Sequence, residues 1–154
     1  VLRAAAAHRG AALVEILQDC PIFNDGSFDV LRKEGAEERV ITVRHGEPIT
    51  FGAGGEYCVI QTGFGLDVAK TVDVSAEAIV VHDATVASPA YAFALSRLSE
   101  QNLEHTVMGI FRQVSRASYD DAARDQISAA RAATPHDRAA LQSLLRGRDT
   151  WTVG

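Results

Sequence analysis

Along the chain the spacing of apolar positions changes several times, and each change predicts a different element. Residues 2–9 (LRAAAAHR) are strong helix formers, and Gly10 stands where a left-handed residue would end them. Residues 11–17 (AALVEIL) form a short, nearly continuous apolar run that reads as a buried strand. Helix, glycine, buried strand is the rhythm of an α/β unit with a parallel sheet. A polar loop over 18–28 follows, at the place where open α/β sheets gather their ligands. From Arg39 the period shortens to two, with Val40, Thr42 and Arg44 alternating with Ile41 and Val43. Ile49-Thr50-Phe51 resumes after a His45-Gly46 turn, and residues 57–61 (YCVIQ) after the glycines of 52–55. This predicts short antiparallel strands joined by glycine turns. Residues 78–82 (AIVVH) predict a further buried strand.

The second half turns helical. Ser88-Pro89 supplies a cap residue and a proline suited to a first helical turn, and Tyr91, Ala94, Leu95 and Leu98 form the stripe behind it. Residues 106–111 (TVMGIF) predict another strand. Ser118 with Asp121 three positions on resembles a capping box, opening a helix to about residue 133. Thr134-Pro135 with Asp137 repeats that signal, Gly147 closes the last helix, and Ala140, Leu141, Leu144 and Leu145 make its expected buried stripe. No internal repeat or linker interrupts the chain, so 1–154 reads as a single piece. It opens without Met on residues already in helix, as if cut from something longer.

Composition narrows the function classes. At 47% hydrophobic and 23% charged residues, the 154-residue chain has the makeup of a globular domain with a real core. A net charge of −5 argues against a nucleic-acid module, whose phosphate contacts need a basic face. No apolar run approaches the roughly 20 residues of a membrane-spanning helix, and no positive stretch with a long apolar core marks a signal peptide. The expectation is a cytoplasmic protein with neither nucleic acid nor membrane among its partners. Two cysteines, Cys20 and Cys58, are too few and too far apart for a disulfide framework.

Few residues carry a chemical signal. Cys20 follows the predicted strand and precedes Pro21, which biases it towards an extended conformation able to aim its side chain. It reads either as a structural thiol or as a ligand or nucleophile. Cys58 lies inside a strand pattern and reads as core. His82-Asp83 invites a catalytic reading, but neighbouring strand residues point to opposite faces, so His82 reads as a hydrogen-bonded structural residue. His8, His45, His105 and His136 have no metal-ligand spacing. Gly63-Phe64-Gly65 lacks the third glycine of a dinucleotide fingerprint, position 68 being Val68, and reads as a turn. Arg112, Arg116, Arg124, Arg131 and Arg138 are interleaved with acids and alanines, the pattern of a solvated surface.

One resemblance sharpens this picture. The string VEILQDCPIFNDGSFD is similar to the segment in beta subunits of 2-oxoacid:ferredoxin oxidoreductases that supplies the last cysteine ligand of a [4Fe–4S] cluster. RHGEPITFGAGGEY, IVVHDA, PAYAFALSRLS and TVMGIFRQVSRASYDDAAR resemble later segments of those subunits in the same order, and the tail LLRGRDTWTV resembles members that use 2-oxoglutarate. The resemblance implies an α/β fold: the C-terminal part of a thiamine-diphosphate-binding fold with a parallel sheet, a small antiparallel hairpin region and C-terminal helices. It implies a beta subunit that holds thiamine diphosphate and Mg²⁺ and works with an alpha subunit, a 2-oxoacid, coenzyme A and ferredoxin. Cys20 would be a metal ligand and Asn24 would lie near the cluster or the thiamine pocket. No catalytic residue is assigned, and the chain is not expected to be active alone. The family's upstream cysteines and its GDG…N segment for Mg²⁺ and diphosphate are absent here. The alternative is a non-catalytic interaction module that docks on a partner subunit.

Overall fold

The computed structural model describes residues 1–99, 103–133, 137–148, 151 and 153. Two compact units are found: one of Val1–His8 and Ala12–Ser115, the other of Arg9–Ala11 and Arg116–Gly154. The first contains α1 (Leu2–Ala7), β1 (Val40–Val43), β2 (Thr50–Phe51), β3 (Tyr57–Thr62), β4 (Gly65–Lys70), α2 (Ala90–Arg97) and β5 (Thr106–Gly109). The second contains α3 (Tyr119–Ala133) and α4 (Arg138–Arg146).

Three β-branched valine and isoleucine residues and a threonine make β1, and their alternation buries Ile41 and Val43 while Thr42 faces out. β1 pairs in parallel with β5, from Val40 opposite Thr106 to Val43 opposite Gly109. A parallel pair agrees with the α/β class, but its strands are not those expected. The alternation around residue 40 predicted an antiparallel neighbour across His45-Gly46. Instead, the Gly46 N–H donates to the His82 carbonyl at 2.8 Å, which turns the connection away from β1. Gly109 makes the parallel pair possible: its φ is +140°, and a Cβ there would lie 2.5 Å from the Val43 carbonyl oxygen.

The glycine-turn reading holds for the second sheet, an antiparallel meander in the order β2-β3-β4. Gly63-Phe64 is the turn between Thr62 and Gly65, with Gly63 at φ +60°. Residues 79–82 run extended without forming a full strand. Val80 donates to the Val59 carbonyl at 2.8 Å and accepts from the Ile49 N–H at 2.9 Å, tying that segment to the meander.

Ile41, Val43, Ile49, Phe51, Val59, Leu95, Leu98 and Val107 form the core. Burying each such side chain stabilises the fold by about 1.5–3 kcal/mol. α2 begins as expected, the Ser88 hydroxyl accepting from the Ala90 N–H at 3.3 Å, and buries Leu95, with Leu98 buried just past its end. Phe51 stacks on Tyr57 with ring centroids 5.4 Å apart. Arg112 departs from the solvated-surface reading: its guanidinium donates to the Ala87 carbonyl at 2.6 Å, and its Nε is buried without a partner.

Residues 11–19 form no strand. Among the described residues they have no ladder partner, and Leu13 and Ile16 are exposed. An apolar run becomes a buried strand only where neighbouring strands satisfy its backbone, and neither sheet here places one beside it.

In the second unit α3 starts as read. The Asp121 N–H donates to the Ser118 hydroxyl at 3.1 Å, and that hydroxyl donates to the Asp121 carboxylate at 2.8 Å. Arg9 also pairs with Asp121, at 2.9 Å. Asp137 caps α4, accepting from the Ala140 N–H at 2.6 Å, and Gly147 ends it at φ +71°. Thr134, Pro135 and His136 lie outside the described residues. The expected buried stripe of α4 is not buried: Leu141, Leu144 and Leu145 are exposed and Ala140 is only half-buried. Spacing identified an apolar face, but no described neighbour covers it. Among the described residues no helix is long and apolar enough to cross a membrane.

Candidate functional site

The loop from Asp19 to Asp29 is held by its own polar groups. Asp19 is its anchor: one carboxylate oxygen accepts from the Phe28 N–H at 3.0 Å and the other pairs with Arg32. Arg32 also reaches Asp29 at 3.2 Å, and Lys33 meets Asp29 at 2.5 Å. Inside this frame the Asn24 N–H donates to the Cys20 carbonyl at 2.9 Å, and the Ser27 hydroxyl donates to the Asn24 carbonyl. Gly26, at φ +71°, permits the reversal that returns Asp29 N–H to its carbonyl at 3.0 Å.

Cys20 sits at the mouth of this turn, partly exposed. The backbone N–H groups of Phe23 and then Ile22, with a smaller contribution from Asn24, favour the thiolate and hold the thiol below its ordinary value. Pro21 has no N–H, so the donors are the residues after it. A partly exposed sulfur with its negative charge favoured by backbone dipoles is suited to be a soft-metal ligand or a nucleophile. Ile22 and Phe23 expose their side chains beside it, as does Asn24. The structure thus brings Asn24 and Cys20 into one turn. The residues alone left Cys20 open between a structural thiol and a ligand, and the family resemblance made it a ligand; the amides around its sulfur were missed, the proline directly after the cysteine being their one signal.

The residues present fit one corner of a [4Fe–4S] cluster and not the whole of it. Such a cube takes four thiolates, and the only other cysteine, Cys58, is sealed in the core with its Sγ donating to the Ala69 carbonyl at 3.7 Å. Among the described residues no group of three or more His, Cys, Asp or Glu side chains is placed to hold a metal.

His82 is structural, as its strand context indicated. It is 1% exposed, and both ring nitrogens are engaged: Nε2 lies 2.9 Å from the Ile110 carbonyl and Nδ1 3.0 Å from the Tyr91 hydroxyl. A carbonyl only accepts, so Nε2 carries the hydrogen, and in the neutral ring Nδ1 accepts from the Tyr91 O–H. Burial raises the Tyr91 hydroxyl above the ordinary tyrosine range. Asp83 turns elsewhere, accepting from the Thr85 N–H at 2.8 Å and the Thr85 hydroxyl at 2.6 Å, which lowers its carboxyl. His82 and Asp83 are therefore not a catalytic pair.

No protein-family model matches the chain, and no solved structure matches it. Over 153 residues, 99% of its length, the chain is 78% identical to the 2-oxoglutarate oxidoreductase subunit KorB of Mycobacterium tuberculosis, and it spans 41% of that protein. The resemblance read from its ordered segments is borne out: over nearly its whole length this chain is similar to part of a 2-oxoglutarate oxidoreductase subunit.

Proposed function

We propose that the chain is the C-terminal part of the beta subunit of a 2-oxoglutarate:ferredoxin oxidoreductase, and that Cys20 is one thiolate ligand of its [4Fe–4S] cluster. The 78% identity to a 2-oxoglutarate oxidoreductase subunit supports the oxidoreductase part of this reading, and the partly exposed, charge-stabilised Cys20 sulfur supports its cluster part. In a complete enzyme of this class, thiamine diphosphate with Mg²⁺ supports decarboxylation of the 2-oxoacid, the cluster passes electrons to ferredoxin, and coenzyme A receives the acyl group. The part assigned to this chain is narrower. Its turn at Cys20 presents a sulfur whose charge is stabilised by the amides of Phe23 and Ile22, and amides around a thiolate tune the bond it makes to a metal. Asn24 belongs to the same turn and lies near the cluster or the thiamine pocket. The remaining cluster ligands and the groups that hold Mg²⁺ and diphosphate come from outside these 154 residues.

The test uses the complete subunit with its alpha partner, carrying Cys20→Ala. Iron and sulfide content are measured together with reduction of ferredoxin by 2-oxoglutarate and coenzyme A. The expected result is loss of bound iron and of ferredoxin reduction with the assembly intact. Unchanged iron and rate would end this assignment. A second reading, a non-catalytic docking module, is favoured by the uncovered leucines of α4, and it is compatible with the first.

A further inference from the structure

A chain that reverses within a few residues can aim several amides at one atom. The Asn24 N–H donates to the Cys20 carbonyl at 2.9 Å, an i to i+4 bond that closes residues 20–24 into a single turn. Cys20 thereby holds the place of a capping residue. Its carbonyl accepts the first bond of the turn, and a side chain in that place lies towards the N–H groups two and three positions on. Those belong to Ile22 and Phe23. Pro21 stands between, bringing a fixed φ and no N–H of its own, so the set of donors is narrow. The same two amides, Phe23 ahead of Ile22, favour the thiolate at the candidate site. The turn is also held from outside. The Ser27 hydroxyl donates to the Asn24 carbonyl, and the carboxylate of Asp19, directly before Cys20, accepts from the Phe28 N–H at 3.0 Å. Ile22 and Phe23 are 82% and 89% exposed, so the turn uses their backbone and not their side chains.

Resting on the reading that Cys20 is a cluster ligand, we propose that its turn sets the reduction potential of that cluster. The N–H groups of Ile22 and Phe23 donate to the cysteine sulfur and favour the reduced state, and Asp19 is a positioning residue that holds the turn. Reduction adds one electron, taken from the 2-oxoacid and passed on to ferredoxin, and spreads negative charge onto the thiolate sulfurs. A donor aimed at such a sulfur therefore stabilises the reduced form more than the oxidised one.

The experiment uses the complete subunit with its alpha partner, as wild type, Phe23→Ala and Phe23→Pro. Both variants lose the ring, but only Phe23→Pro loses the N–H. Iron is measured, and the cluster is titrated potentiometrically with its reduced state followed by electron paramagnetic resonance. Full iron is expected in both variants. At a fixed potential, the reduced-to-oxidised ratio should stay within about twofold of wild type in Phe23→Ala and fall roughly tenfold in Phe23→Pro, about 59 mV for one electron. Asp19→Ala keeps every amide of the turn but frees its anchor, and should shift the ratio the same way by a smaller factor. A second measurement does not depend on the turn tolerating proline. With nitrogen-15 phenylalanine incorporated, pulsed resonance of the reduced wild-type cluster should show a nitrogen-15 coupling that disappears in Phe23→Ala. If Phe23→Pro loses iron, this coupling alone decides. Equal potentials in Phe23→Ala and Phe23→Pro at full iron overturn the proposal, as does the absence of the coupling. Loss of iron in Cys20→Ala would then leave the ligand assignment standing, whereas iron retained in Cys20→Ala would overturn both.

Discussion

Tyr91→Phe removes one oxygen and tests how the parallel pair is tied to α2. In the structure the Tyr91 hydroxyl donates to Nδ1 of His82 at 3.0 Å, while Nε2 of the same ring donates to the Ile110 carbonyl at 2.9 Å, just beyond β5. The ring is 1% exposed, so water does not replace a lost partner. Deleting the hydroxyl leaves a buried acceptor unsatisfied, a cost of about 1–3 kcal/mol, with little change in packing because the ring remains. His82→Ala goes further. It orphans the Ile110 carbonyl and the Tyr91 hydroxyl and opens a cavity among well-packed neighbours, for a loss of about 3–5 kcal/mol. Urea unfolding followed by far-ultraviolet circular dichroism measures both, at constant slope so that midpoints translate into free energies. Nitrogen-15 spectra of His82 give the independent check: a neutral ring should carry its hydrogen on Nε2. The reasoning fails if Tyr91→Phe costs less than about 0.5 kcal/mol or if the hydrogen is found on Nδ1. Alkaline titration adds a sign. The folded state holds the Tyr91 proton more tightly than the unfolded chain does. This contribution is complete below the ordinary tyrosine value and is lost as pH rises through the raised one. Tyr91→Phe removes that part of the alkaline loss.

Other perturbations probe other parts of the chain. Gly109→Ala forces a methyl group to within 2.5 Å of the Val43 carbonyl oxygen and should cost about 3 kcal/mol or more. Gly46→Ala, with nothing within 4 Å of the added carbon, should cost only about 1 kcal/mol from its positive φ; unfolding midpoints separate the two. Iodoacetamide labelling across pH, read by mass spectrometry, should show Cys20 reacting at a lower pH than an ordinary thiol and Cys58 unmodified until the chain unfolds; equal rates at both sites would contradict the structure. Ser118→Ala should lower the stability of α3 by about 1 kcal/mol through loss of its cap, measured as reduced helicity. Asp121 is held below the usual carboxylate range by Ser118 first and Arg9 next. The same helix end should therefore loosen as pH falls through that lowered value, its support being complete above the unfolded value.

Local signals in the sequence located elements well and neighbours poorly. Ser118 and Asp121, Asp137 and Gly147, and the serine-proline pair before α2 mark helix ends because the cap is made within a few residues. The turn at Gly63 was legible for the same reason, although β4 beyond it was not read as a strand. The partner of β1 was not: period two shows that Ile41 and Val43 face a core, but carries no information that the adjacent strand begins at Thr106. Residues 11–17 and the stripe of α4 failed together, for one cause. Apolar spacing reports which face wants cover, and in neither place is the cover among the described residues. At the candidate site, Cys20 was visible as a residue type beside Pro21. The amides aimed at its sulfur depend on turn geometry that Gly26 and Asp19 set from several positions away.

The parallel pairing of β1 with β5 also orders events during synthesis. By the time Val43 has left the ribosome its partner strand has yet to be translated, and β1 stays unpaired until Gly109 emerges. Throughout that interval a nascent chain carries Ile41 and Val43 on a strand with an open edge, beside a meander that local contacts can already close. Chains that stall or are cleaved before residue 106 should therefore be the ones that self-associate, whereas those released after residue 109 can fold that edge away.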